Sequence, residues 1–89
     1  MWTVILGASA TKQYNKHVAR SILKSQVDKI LDKLAIDPFA PGNHFKALTG
    51  EMAGLYSRRI DAVNRVVYAV EHKTVVVHVL SVWGHYDDT

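Results

Sequence analysis

Leu55-Tyr56-Ser57-Arg58-Arg59-Ile60, then Asp61-Ala62-Val63, then Asn64-Arg65-Val66-Val67-Tyr68-Ala69-Val70-Glu71 is the stretch on which the fold turns. Both flanking runs are rich in β-branched and aromatic residues and the segment between them is short, so they read as two arms of an antiparallel hairpin, about 55 to 61 and 65 to 71. Side chains alternate between the two faces along each arm. A three-residue connection, Asp61 to Val63, sets Ile60 opposite Asn64 and Arg59 opposite Arg65, on one face and roughly 5 Å apart at Cβ. An even-numbered loop would send the two arginines to opposite faces. Like charges directly opposite destabilise a sheet, and a bound phosphate reverses that cost, because the guanidinium fork matches phosphate oxygens two at a time. The competing reading is that Arg59 pairs with Asp61, Glu71 or the acidic end of the chain.

His72-Lys73 closes a second tight hairpin into a third strand, about 75 to 82. Upstream, Trp2-Thr3-Val4-Ile5-Leu6 is β-branched and aromatic and is bounded by Gly7, a short strand. Ser9 or Thr11 can cap the helical segment downstream of it. There Tyr14, Val18, Leu23, Val27, Ile30, Leu31 and Leu34 recur at spacings of three and four, which places them on one helical face. The stripe rotates around Arg20 to Ile22, so two helices in sequence are expected. Asp37-Pro38 ends the second, since proline disfavours the helical region for the residue before it. Residues 37–45 hold both prolines and a Gly-Asn pair and form the loop into the sheet. A short strand from Phe45 to Leu48 and a turn from Thr49 to Gly54 complete the path. The expected class is α+β: one domain, 1–89, with a mainly antiparallel sheet of four to five strands and two N-terminal helices on one face.

The 89 residues are 48% hydrophobic, with mean hydropathy near zero, as in a globular chain with one modest core. The absence of cysteine removes disulfides, thiolate nucleophiles and thiolate metal sites. Apolar runs fall far short of the roughly 20 residues of a membrane span, and the start lacks the layout of a signal peptide. A cytoplasmic location without membrane contact is the expectation. A net charge of +3 and a pI near 9.3 permit attraction to nucleic acid or to an acidic partner. Arg58, Arg59 and Arg65 fall within eight residues, while most lysines ride on the helical segment.

His85-Tyr86 comes directly after the last strand, and Trp83 can anchor that segment against the sheet. Histidine, with an ordinary pKa of about 6.5, donates or accepts a proton near neutrality. Tyrosine can orient, donate or stack on a base. A His85 that merely packs on Trp83 is the bland alternative. His44, in the Pro/Gly loop, can approach the same place; His17, His72 and His78 are weaker candidates. No pair has the spacing of a helix-borne zinc site and the carboxylates do not cluster, so neither metal nor cofactor is expected.

Gly54-Leu55-Tyr56-Ser57-Arg58-Arg59-Ile60, Arg65-Val66-Val67-Tyr68 and His85-Tyr86 together resemble the YoeB/Txe branch of the RelE-type bacterial toxins. The likeness covers essentially the whole chain by layout and is specific from Phe45 to Tyr86. It implies a RelE-like, microbial-RNase-like fold and an endoribonuclease that cuts messenger RNA on the ribosome. It also implies a cognate acidic antitoxin of YefM or Phd type, and a homodimer is plausible by the same likeness. Carried over by position, the family's two arginines become Arg59 and Arg65, its histidine His85 and its tyrosine Tyr86. Arg58, His44 and Trp83 are added as candidate RNA contacts. Arg58 faces away from Arg59 in this register and is expected to be a solvated or antitoxin-facing cation.

One catalytic position departs. Where the family has Phe-Glu-x-Leu-x-Gly, this chain has Phe45-Lys46-Ala47-Leu48-Thr49-Gly50, so Lys46 stands at the place of the family's general base. Cleavage by 2′-hydroxyl attack needs a base for that hydroxyl, positive charge on the crowded phosphate and an acid for the leaving 5′-oxygen. Lysine, with an ordinary pKa of about 10.4, is protonated at neutral pH. Three accounts stay open: Lys46 acts as lysines do in the RelE branch, the chain is attenuated, or Glu51 or His85 supplies the base. Two other functions compete with the nuclease, a ParE-like gyrase inhibitor and a degenerate toxin that only binds antitoxin or RNA. The paired arginines and His85-Tyr86 argue against ParE.

Overall fold

The computed structural model describes residues 1–84 of the chain. Strand β1 (Thr3–Leu6) leads into helix α1 (Ala8–Gln13), which runs on as a π-helical turn (Tyr14–Val18). After a bend comes α2 (Lys24–Ile36), then β2 (Lys46–Ala47), a single 3₁₀ turn (Gly50–Met52), β3 (Leu55–Arg59), β4 (Arg65–Glu71) and β5 (Val76–Ser81). The five strands form one sheet in the order β1-β5-β4-β3-β2. Sequential strands β2 to β5 pair antiparallel, as short turns require, and only β1 joins β5 in parallel.

The helical segment breaks where its apolar stripe rotates. The Ala19 amide donates to the Tyr14 carbonyl five residues back, which widens the last turn. Ser21 then donates through Oγ to the Val18 carbonyl and accepts from the Leu23 amide, turning the chain into α2. The expected cap differs: Gly7 occupies the N-cap of α1 with no side-chain cap bond, and Thr11 Oγ1 donates to the Leu6 carbonyl instead. α2 ends at Ile36 before Asp37-Pro38, and the Asp37 carboxylate accepts from the Phe39 amide as the loop begins.

Both helices lie against one sheet face. Ala10, Val18, Val27, Ile30 and Leu34 meet Val66, Tyr68, Val77 and Val79 there in one buried core, with Tyr14, Leu23 and Leu31 packed at its margin. Because side chains alternate, the residues between those core positions, among them Ser57, Arg59, Arg65 and Val67, point to the other face.

Arg58 is not the solvated cation its position suggested. It lies on the helix side of β3 and is fully buried, under the 37–45 loop. Its Nε donates to the Tyr68 hydroxyl, Nη1 to the Gly42 carbonyl and Nη2 to the carbonyls of Pro38 and Ala40. The guanidinium also lies 4.8 Å from the centre of the Phe45 ring. Four neutral acceptors at the points of a planar fork offset the cost of burying the charge, an arrangement that arginine geometry allows and sequence alternation does not reveal. Four of its N–H groups are committed to Tyr68 and the loop, so Arg58 is held in the packing beneath that loop.

Candidate functional site

Arg59 and Arg65 are directly opposite one another at the end of the β3–β4 hairpin, in the register the three-residue loop dictates. The Asp61 carboxylate organises that loop by accepting from the Val63 and Asn64 amides and from Asn64 Nδ2. The Ile60 amide donates to the Asn64 carbonyl, and Gln26 Nε2 donates to the Ile60 carbonyl, tying the hairpin to α2. With its oxygens so engaged, Asp61 serves the turn. On Arg59, Nε is buried and has no hydrogen-bond partner among the described residues.

These bonds hold the Asp61 carboxyl below its ordinary pKa, the Asn64 and Val63 amides being the largest causes. A depressed carboxylate contributes stability that is present above the unfolded value near 3.8 and is lost as pH falls through the lower folded value. Asp28, lowered chiefly by its bonds from Lys24 and Tyr14, acts in the same direction. Urea midpoints measured from pH 6 down to pH 3 are therefore expected to fall, with a shallower fall for Asp61→Asn, which keeps an acceptor but removes the charge. An identical slope in the two proteins would show that the turn carboxylate is not linked to folding.

Lys46 stands opposite Ser57 on the edge strand β2, so it shares the face of Ser57, Arg59 and Arg65. That face thus gathers three basic side chains around one hydroxyl. Ser57 is buried, and its Oγ also has no partner among the described residues. The loop before β2 reaches the same end of the sheet, where the Arg59 amide donates to the Asn43 carbonyl. His44, the next residue, is exposed in a left-handed backbone conformation, φ 51°.

The last described residues are also brought here. Gly84 donates through its amide to Asn64 Oδ1 at 2.8 Å, and its carbonyl accepts from the Arg65 amide at 2.8 Å. Just upstream, the Trp83 ring stacks on His17 with centroids 5.0 Å apart and planes 4° apart. Gln13 Oε1 accepts from the Val82 amide and the Ser81 hydroxyl. Trp83 therefore anchors its segment on the π-helical turn, and sequence reading missed this role of Gln13 and His17. Their four-residue spacing on one helix face was the available signal. His85 and Tyr86 lie outside the described residues. Among the described residues no group of three or more His, Asp or Glu side chains could hold a metal ion, and no helix is long and apolar enough to cross a membrane.

The family profile described as the YoeB-like toxin of the bacterial type II toxin-antitoxin system matches residues 9–86. The chain belongs to that family of toxins. Solved structures agree. A YoeB/ParE toxin from Agrobacterium tumefaciens superposes with a TM-score of 0.81 at 26% identity, over 94% of this chain and 99% of that one. The toxin-antitoxin complex RelBE2 from Mycobacterium tuberculosis contains a chain with a TM-score of 0.73 at 26% identity, covering 94% and 98%. The YoeB dimer from Staphylococcus aureus shares the fold, with a TM-score of 0.79 at 21% identity over 96% and 98%. No curated protein sequence matches the chain significantly. Family membership makes this a toxin of YoeB/RelE type, with the α+β fold expected from its hairpins.

Proposed function

We propose that this toxin is a ribosome-dependent endoribonuclease that cuts messenger RNA by 2′-hydroxyl attack without a metal. The observation that carries the reading is the opposed pair Arg59 and Arg65 beside Lys46, with the chain entering His85-Tyr86 bonded to Arg65 at Gly84. In the proposed step the 2′-oxygen bonds to phosphorus as its proton passes to a base, the bond from phosphorus to the 5′-oxygen breaks, and that oxygen takes a proton. A 2′,3′-cyclic phosphate and a 5′-hydroxyl result. The two guanidiniums meet the charge that gathers on the non-bridging oxygens, where preorganised donors act most strongly. His85 donates the proton to the leaving oxygen and Tyr86 orients or stacks on a base. His44 and Trp83 remain proposed RNA contacts.

Toeprinting on translating ribosomes tests the reading. Breaks at fixed positions within the decoded codon support the nuclease, whereas DNA breaks that depend on gyrase would replace it with the ParE-like function. Arg65→Ala is expected to slow single-turnover cleavage by about 10²–10³ while weakening ribosome binding far less, because its charge acts on the transition state. An equal loss in both would reduce Arg65 to a phosphate anchor.

The proposed partner, besides ribosome and messenger RNA, is an acidic antitoxin of YefM or Phd type that covers the basic face. YoeB-YefM complexes of Staphylococcus aureus provide the structural precedent for the toxin side. A homodimer has a precedent of the same kind. Light scattering over a concentration series is expected to show the mass doubling, and a monomer at every concentration would remove the dimer.

A further inference from the structure

The hairpin turn and the C-terminal segment meet through one side chain. Asn64 is 8% exposed, and both ends of its amide are committed. Nδ2 lies 3.2 Å from each oxygen of Asp61, and Oδ1 accepts from the Gly84 amide at 2.8 Å. The chemistry fixes this orientation: a carboxylate only accepts and a backbone amide only donates, so a flipped side chain would lose both bonds. Asp61 is held in turn by the Val63 and Asn64 amides, so the clamp stands on a rigid turn. The Arg65 amide grips the Gly84 carbonyl from the next residue of the same strand. Gly84 is thus bonded at both its amide and its carbonyl, and its positive φ of 75° suits glycine.

We infer that Asn64 is a positioning residue: by holding Gly84 against Arg65 it fixes where the chain departs toward His85 and Tyr86. This rests on the nuclease reading, in which the two residues after Gly84 act on the same phosphate as Arg65. Gly84 directly precedes His85 in the sequence. Misplacement of a reacting group by about 1 Å can cost roughly 10²-fold in rate. Ser81, Val82 and Trp83 are held by Gln13 and His17 on the helix side, but only Asn64 and Arg65 hold Gly84 among the described residues.

The test compares the full-length parent, Asn64→Ala, Asn64→Asp and the exchange Asp61→Asn with Asn64→Asp. Asn64→Asp keeps the shape but cannot donate to Asp61, and it places a second carboxylate against the first. The exchange restores one donor facing one carboxylate, and it retains an acceptor for Gly84. The maximal single-turnover rate on programmed ribosomes is expected to fall about 10–100-fold in both single variants, with half-saturation changed less than about threefold, and to recover in the exchange. Hydrogen exchange of the Gly84 amide, read by nuclear magnetic resonance, is expected to quicken about tenfold in the single variants and recover in the exchange. Unchanged Gly84 protection in Asn64→Ala would overturn the clamp. Slower cleavage that the exchange does not recover would overturn the positioning role. A parent that cuts no RNA would instead defeat the nuclease reading, while the amide still reports the clamp, so the two failures are distinct.

Discussion

Arg58→Met is expected to lower folding stability by about 3 kcal/mol and to drop the melting temperature by more than about 10 °C. The fully buried guanidinium satisfies the Ala40 and Gly42 carbonyls, shares the Pro38 carbonyl with the Tyr68 hydroxyl, and stacks near Phe45. Methionine fills much of the volume but leaves the Ala40 carbonyl without its guanidinium donor, while the Gly42 carbonyl keeps the Phe45 amide. A buried acceptor so abandoned costs about 1–3 kcal/mol, and the Tyr68 hydroxyl loses its Arg58 donor as well. Removing a buried charge offsets part of the loss. Arg58→Lys is expected to recover little, since one ammonium cannot reach four acceptors laid out for a planar fork. Urea denaturation of the three proteins measures this, and a methionine variant as stable as the parent would show that the loop 37–45 holds its path without the guanidinium.

The contrast between Arg58 and Arg59 shows what was legible in the sequence. Loop length and period-two alternation gave the register, and with it the shared face of Arg59 and Arg65, because both are local properties of a hairpin. The helix break and the stop at Asp37-Pro38 were legible for the same reason. Alternation also put Arg58 on the opposite face, but not what covers that face. Burial came from a loop twenty residues upstream whose carbonyls turn inward, and no pattern in Pro38 to Gly42 announces where its carbonyls point. Asn64 was missed likewise: a turn asparagine beside an aspartate reads as turn chemistry, and its second partner, Gly84, is twenty residues away. The position of Lys46 opposite Ser57 comes from pairing with an edge strand of only two residues, too short for periodicity to register.

Lys46→Glu is expected to raise single-turnover cleavage on programmed ribosomes by about 10²–10⁴, the contribution of a positioned acid-base group. Position 46 lies on the same sheet face as the opposed arginines, one strand away from Arg59 and opposite Ser57. A carboxylate there can accept the 2′-hydroxyl proton, whereas an ammonium offers only donors and no lone pair to receive it. It would also place a negative charge on the face that carries Arg59 and Arg65. Lys46→Ala separates the two contributions, because it removes the lysine charge without supplying a base. The expected order of rates is glutamate well above alanine, with alanine near the parent, all compared at matched ribosome occupancy. A glutamate variant slower than the parent would reverse the assignment and show lysine acting on the phosphate. Equal rates in all three would take position 46 out of the chemistry and pass the base to Glu51 or His85.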